Sequence, residues 1–128
     1  MARLTLTRLL RRWRSGPWKV GSVVTSADAI ADTIDKHRSV VVSDQTLRKW
    51  LAFECPCGRG HRIMLNLDRS RYPRWTITAD IPLTIRPSVD TTFDGRRCHF
   101  IIERGHVYWV PEISESNFTR MKNGAERV

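Results

Sequence analysis

The spacing of the apolar residues constrains the fold of this chain more than any other feature. From Ser39 to Val110 the apolar side chains fall into short runs, and Pro73, Pro82 and Pro87 lie at the ends of these runs. Short runs bounded by turn-forming residues are typical of β-strands, and proline favours strand starts and sheet edges. We therefore expect an α+β fold that is mostly β, with a small antiparallel sheet of about six or seven strands.

The order of these runs predicts two hairpins. The second and third strands should pair antiparallel across a turn at 55–61, and the last two should turn at Arg104-Gly105. One helix should precede the strands, capped by Ser26 and ending near His37, because apolar residues after Ser26 recur at helical spacing. The predicted strands are Ser39–Ser43, Leu47–Glu54, Arg62–Leu67, Trp75–Ala79, Leu83–Arg86, Cys98–Glu103 and His106–Val110.

The positive charge is concentrated at the start of the chain. The formal net charge is +9, yet residues 1–20 hold six basic residues and no acid, so residues 21–128 hold 16 basic against 13 acidic residues. A nearly balanced charge argues against nucleic-acid binding by the folded body. We predict a basic N-terminal arm at 1–19, a single globular domain at 20–112 and a polar C-terminal tail at 113–128.

The cysteine count and the hydropathy indicate the compartment. Three cysteines cannot all pair within the chain, and two of them are separated by one residue, which rarely suits a disulfide. No apolar run approaches the roughly 20 residues that a transmembrane segment needs. We expect a cytoplasmic protein with thiolates that are available for a metal ion.

A cysteine-rich turn, Cys-Pro-Cys-Gly-Arg-Gly-His at 55–61, is the candidate metal site. Cys55 and Cys57 can supply two ligands of a tetrahedral zinc ion, and His61 can supply a third. Cys98, His99 or His106 can complete the set. Such a closed site would be structural, whereas the alternative is a tight turn of small residues without any metal ion.

A serine and a histidine form the candidate catalytic pair. If Leu83–Arg86 and the strand that begins at Cys98 are antiparallel neighbours, Ser88 and His99 lie at the same end of the pair. A histidine can take the proton of a serine hydroxyl and make it a nucleophile that attacks a carbonyl carbon. Asp90 or Asp94 can then orient the imidazole ring.

Several of these motifs together resemble a known bacterial family. That family is encoded beside bacterial ubiquitin-like proteins and their E1-like and E2-like enzymes, and its members are proposed to be serine peptidases with a serine–histidine dyad. The matching segments are Lys49-Trp50-Leu51-Ala52-Phe53-Glu54-Cys55-Pro56-Cys57-Gly58, His61, Leu65-Asn66-Leu67, Pro73-Arg74-Trp75, Leu83-Thr84, Pro87-Ser88, His99-Phe100-Ile101, Gly105 and Trp109.

The resemblance implies a function and a set of partners. It makes Ser88 the nucleophile and His99 the general base of a peptidase that processes or releases a ubiquitin-like protein. It also leaves Cys98, directly before His99, as an alternative nucleophile.

Two hypotheses from other classes stand beside the peptidase. One is a non-catalytic zinc module that docks ubiquitin-like or conjugating proteins and has Cys55, Cys57, His61 and Cys98 as ligands. The other is a nucleic-acid binder that uses the basic arm.

Overall fold

A computed structural model describes residues 16–111 of the chain. Within this range it contains nine strands and a single short turn of 3-10 helix at Ala27–Ala29. The strands are β1 (Lys19–Val24), β2 (Arg38–Ser43), β3 (Arg48–Glu54), β4 (Arg62–Asn66), β5 (Thr76–Asp80), β6 (Leu83–Arg86), β7 (Val89–Phe93), β8 (Arg96–Glu103) and β9 (His106–Trp109).

The nine strands form three small sheets. The first has four strands in the order β1-β2-β3-β4, the second pairs β5 with β6, and the third has the order β7-β8-β9. All pairs are antiparallel except β1 with β2, which is parallel. The mostly-β prediction is therefore confirmed, as are the hairpins β3–β4 and β8–β9.

One apolar core joins the three sheets. Phe53 of the first sheet and Phe100 of the third are fully buried, and their rings meet edge to face at 6.3 Å. Every sheet contributes buried side chains to this cluster, so each sheet buries one face there. The main members are Leu51, Phe53, Ile63, Leu65, Leu83, Ile85, Val89, Cys98, Phe100 and Ile102.

Three backbone hydrogen bonds fasten distant segments of the chain to one another. The amide of Trp18 donates to the carbonyl oxygen of Gly105, the amide of Gly105 to that of Leu83, and the amide of Leu83 to that of Trp18, each at 2.8 Å. Gly105 lies in the β8–β9 turn with a φ of 80°. A Cβ at this position would lie 2.5 Å from the Cβ of Pro17, so only glycine fits here.

The predicted helix from Ser26 to about His37 is wrong. Only Ala27–Ala29 is helical, as one 3-10 turn, and Ser26 makes no side-chain cap hydrogen bond. The segment is instead the connection between the parallel strands β1 and β2. Its apolar residues still find burial without a helix, because Ile34 is buried and Ile30 partly buried against Val40 and Ala52. The spacing of these residues fits one face of a helix, but packing against a sheet buries the same side chains without a helix.

The single sheet of six or seven strands is also wrong. The two strands that were not predicted are β1 and β7. β1 was not predicted because the basic arm was expected to reach residue 19 and because the strand contains Gly21 and Ser22. β7 was not predicted because its sequence, Val-Asp-Thr-Thr-Phe, is polar and has a single buried residue. A polar edge strand carries little of the apolar signal from which strands are predicted.

Parts of the predicted organisation fall outside the described range. The arm up to residue 15 and the tail from residue 112 lie outside it, so the division into arm, domain and tail stays a prediction. Among residues 16–111, no helix has the length and apolar character that crossing a membrane requires.

Candidate active site and metal centre

The structure brings Ser88 and His99 into contact. Ser88 Oγ lies 3.1 Å from His99 Nε2, which is hydrogen-bonding distance, and both side chains are half-buried. β7 begins directly after Ser88, and its Val89 pairs with Phe100 of β8. Because side chains alternate along a strand, Ser88 and His99 lie on the same face of the sheet, away from the buried Val89 and Phe100.

The strand that brings this pair together differs from the predicted one. We expected Leu83–Arg86 to be the neighbour of the strand that carries His99. In the structure that neighbour is β7, a segment predicted to be a loop, while Leu83–Arg86 pairs with β5. The contact forms because Ser88 is two residues before Asp90, the residue directly opposite His99, so the pair is a diagonal cross-strand contact.

Trp75 fastens the backbone at Ser88. Its indole Nε1 donates a hydrogen bond to the carbonyl oxygen of Ser88 at 3.2 Å, and its own amide donates to the carbonyl oxygen of Asn66 at 2.8 Å. The Trp75 ring is half-buried and packs against the core. Sequence reasoning placed this residue at the start of a strand and missed the contact, because the contact joins residues 13 positions apart.

Neither predicted orienting aspartate hydrogen-bonds the His99 ring within the described residues. The Asp90 carboxylate accepts hydrogen bonds from Arg97 at 2.8 and 2.6 Å, and these lower the pKa of Asp90. Asp94 lies in the β7–β8 turn with a φ of 51°. Asp90, which lies directly opposite His99, is therefore engaged by Arg97 and not by the imidazole.

The four predicted metal ligands come together on the other side of β8. The ligand atoms of Cys55, Cys57, His61 and Cys98 all lie within 4.8 Å of one another. Cys98 Sγ is 3.8 Å from His61 Nε2. The turn closes because the amide of Cys55 donates to the carbonyl oxygen of His61 at 2.8 Å. His99 and His106, the other candidates for the fourth ligand, are not in the cluster.

The donor set suits zinc. Zinc prefers four thiolate or imidazole ligands in a tetrahedron with Zn–S near 2.3 Å and Zn–N near 2.0 Å, which places ligand atoms about 3.5–3.8 Å apart. The cluster has this composition, and the distances between its ligand atoms would need to shorten by about 1 Å at most to bind zinc. Cys55, Cys57, His61 and Cys98 would hold a zinc ion as a closed, structural site.

The surroundings tune the protonation of these ligands. Burial raises the pKa of the Cys55 thiol to about 12. Burial acts in the same direction on Cys57, but hydrogen bonds from the Arg59 amide and from the Cys55 and Arg59 side chains outweigh it and leave the pKa of Cys57 below its usual value. Burial, together with the charge of Arg59, lowers the pKa of His61, which favours the neutral imidazole that binds metal ions.

Arg59 and Phe93 link the cysteine turn to the hairpin that carries the serine–histidine pair. The Arg59 guanidinium donates to Cys98 Sγ at 3.2 Å and to the carbonyl oxygen of Phe93 at 2.9 Å. The His61 ring stacks on Phe93 at 4.2 Å. Three thiolates around Zn²⁺ would leave one net negative charge, which the Arg59 cation can offset. These links were missed because nothing local in the sequence couples residue 59 to residue 93.

Comparison with known proteins identifies a family. Residues 26–110, about two thirds of the chain, match the family model described as bacterial ubiquitination-like system serine protease, BubE. The matched range contains the serine–histidine pair and all four cysteine-cluster residues. Neither the curated proteins nor the solved structures gave a significant match. Because the match covers well over half of the sequence, the chain belongs to the BubE family of bacterial ubiquitination-like system serine proteases.

Proposed function

We propose that this chain is a peptidase that processes or releases a bacterial ubiquitin-like protein, with Ser88 as the nucleophile and His99 as the general base. The observation that carries the proposal is the 3.1 Å contact between Ser88 Oγ and His99 Nε2 on a partly exposed face. The description of the matching family, a serine protease of a bacterial ubiquitination-like system, supports the same proposal. Its partners would be the ubiquitin-like protein and the E1-like and E2-like enzymes of that system.

The pair can carry out acyl transfer in two steps. Ser88 Oγ forms a bond to the scissile carbonyl carbon while its proton passes to His99 Nε2. The carbon–nitrogen bond then breaks, and His99 gives that proton to the leaving amine. In the second step His99 takes a proton from water as the water oxygen forms a bond to the ester carbonyl carbon. The bond between that carbon and Ser88 Oγ then breaks, and His99 returns the proton to Oγ. Trp75 would act as a positioning residue, because its hydrogen bond to the Ser88 carbonyl oxygen limits where Oγ can move.

The surroundings of Cys98 argue against the alternative nucleophile. Cys98 is 1% exposed, faces the core and lies among the other cysteine-cluster residues. Arg59 and the cysteine turn cover Cys98 Sγ, with the Arg59 guanidinium donating to it at 3.2 Å, whereas Ser88 is only half-buried. A ligand role therefore suits Cys98 better than a catalytic one.

Cleavage of a tail-extended ubiquitin-like protein tests the proposal. Wild type, Ser88→Ala, His99→Gln and Cys98→Ala are incubated with this substrate, and the products are read by intact mass. Ser22→Ala, an exposed serine of β1, is the matched control. The proposal predicts cleavage by wild type and Ser22→Ala and a loss of at least about a hundredfold in the Ser88 and His99 variants. Cleavage that survives Ser88→Ala and is lost in a folded Cys98→Ala variant would move the nucleophile to Cys98.

A second function is favoured by the cysteine cluster alone. A closed zinc site can staple a small domain that only docks ubiquitin-like or conjugating proteins. About one bound zinc per chain together with no cleavage by any variant would support this docking module over the peptidase. The nucleic-acid hypothesis stays a prediction, because nearly all of the basic arm lies outside the described residues.

A further inference from the structure

The face of the third sheet that carries Ser88 and His99 also carries an apolar pair. We call this face the outer face; the opposite face holds Cys98, Phe100 and Ile102, which are buried. Ile101 alternates with those residues and therefore lies on the outer face, where it pairs with Tyr108 of β9. Ile101 is half-buried, and Tyr108 is 56% exposed.

The register places this pair beside the nucleophile. Val89 pairs with Phe100, so continuing the antiparallel register by one residue places Ser88 opposite Ile101. Neighbouring strands lie about 4.8 Å apart, which puts the Ile101 backbone about 5 Å from Ser88 and the Tyr108 backbone about 10 Å from it. Ser88, directly before β7, thus forms a row across the sheet with Ile101 of β8 and Tyr108 of β9.

Two ion pairs border this row. On one side Arg86 donates to Glu103 at 2.9 Å, and on the other Arg97 donates to Asp90 at 2.6 Å. Each of these carboxylates already has a guanidinium partner, so the charges on both sides of the row are neutralised by ion pairs. A charged substrate group would have to compete with these ion pairs, whereas an apolar group on Ile101 and Tyr108 would disturb neither.

We propose that Ile101 and Tyr108 form a specificity subsite that binds an aliphatic or aromatic side chain of the substrate close to the scissile bond. The inference rests on the proposed function and adds the substrate class. An extended peptide advances about 3.3 Å per residue, so a side chain two or three residues from the attacked carbonyl reaches the level of Tyr108. Discrimination by such an apolar subsite is typically about 10-fold or more in kcat/KM.

Two fluorophosphonates test this subsite without knowledge of the natural substrate. One has a decyl chain and the other has an ethylene-glycol chain of equal length. In both reactions a Ser88 Oγ–phosphorus bond forms, the phosphorus–fluorine bond breaks, fluoride leaves and the serine proton passes to His99. The labelling rates are measured by intact mass for wild type, Ile101→Ser, Tyr108→Ser and Val23→Ser, an exposed strand residue of the first sheet that serves as the matched control.

The expected result is a ratio of rates. Wild type and Val23→Ser react about 10-fold faster with the decyl probe than with the glycol probe, and this ratio falls towards one in the Ile101 and Tyr108 variants. Both probes react with the same nucleophile, so a variant with a less reactive Ser88 loses rate with both probes and the loss cancels in the ratio. Equal rates for the two probes in wild type, or a decyl preference that survives both substitutions, would overturn the subsite while leaving the nucleophile in place. Labelling no faster than that of Ser88→Ala would overturn the proposed function and the subsite together.

Discussion

Cys98 and His99 are consecutive residues of β8, and their side chains lie on opposite faces of the third sheet. Cys98 is buried in the cysteine cluster, whereas the His99 ring contacts Ser88 on the outer face. A metal ion held by Cys98 would therefore fix the strand that carries the proposed general base without touching the substrate. A metal ion in the cysteine cluster would therefore influence the proposed catalysis only through the position of β8.

Removal of zinc should therefore lower the reactivity of Ser88 as well as the stability of the fold. We expect about one zinc per chain, and a chelator should lower both the melting temperature and the rate at which Ser88 is labelled. Metal analysis, thermal unfolding and labelling are measured on the same sample. Ser88→Ala is the control, because it should lose stability to the chelator to the same extent. A protein without zinc, or a labelling rate that the chelator leaves unchanged, would contradict this prediction.

Zinc binding should release protons. In the metal-free protein Cys55 is a thiol at neutral pH, since burial raises its pKa to about 12, and it must lose its proton to bind the ion. The zinc affinity should therefore rise with pH, about 10-fold per unit for each proton released. Titration with zinc in weakly buffered solution containing a pH indicator measures this release. An affinity that is constant between about pH 6 and 8 would show that Cys55 is not a ligand.

Replacement of Trp75 by Phe should affect the nucleophile more than the fold. The variant loses the hydrogen bond to the Ser88 carbonyl oxygen but keeps an aromatic ring against the core. We expect stability to fall by about 1 kcal/mol and the Ser88 labelling rate to fall about 10-fold. Trp50→Phe, a half-buried tryptophan of β3, is the control and should leave the rate unchanged. If both variants lose rate in proportion to stability, Trp75 has only a structural role.

Gly105 should be far less tolerant of alanine than Gly95, although both have a positive φ. A Cβ at Gly95 meets nothing within 4 Å, so Gly95→Ala should cost only the backbone strain of about 1–2 kcal/mol. A Cβ at Gly105 would collide with Pro17, so Gly105→Ala should cost about 3 kcal/mol or more in the free energy of unfolding. Urea unfolding of the two variants measures the difference. Equal losses would mean that the contact with Pro17 does not hold this turn.

The cysteine turn could be predicted because its signal is local. Cys55, Cys57 and His61 lie within seven residues, in the turn between two predicted strands, so the sequence itself brings them together. Cys98 was one of three candidates for the fourth ligand, since the sequence does not show which residues of β8 face the core. The role of Arg59 depends on where Phe93 and Cys98 lie in three dimensions, and residue spacing contains no such information.

The serine–histidine pair was found for a reason that the structure corrects. We expected Leu83–Arg86 to carry Ser88 to His99, whereas the polar edge strand β7 forms the pairing. For the connection at residues 25–37 the predicted secondary structure itself was wrong. Its apolar spacing fits a helix, but the parallel pairing of β1 with β2 places the segment over a sheet face, where an extended chain buries the same residues. Tertiary packing decided both cases against the local pattern.

The central claim is that His99 activates Ser88, and the most direct measurement is the site and rate of reaction with phenylmethylsulfonyl fluoride. The protein is treated with this reagent and digested, and the modified residue is located by tandem mass spectrometry. The account predicts modification at Ser88 in wild type, slowed at least about 100-fold in a folded His99→Gln variant. Modification at another residue, or an equal rate in the two proteins, would contradict it.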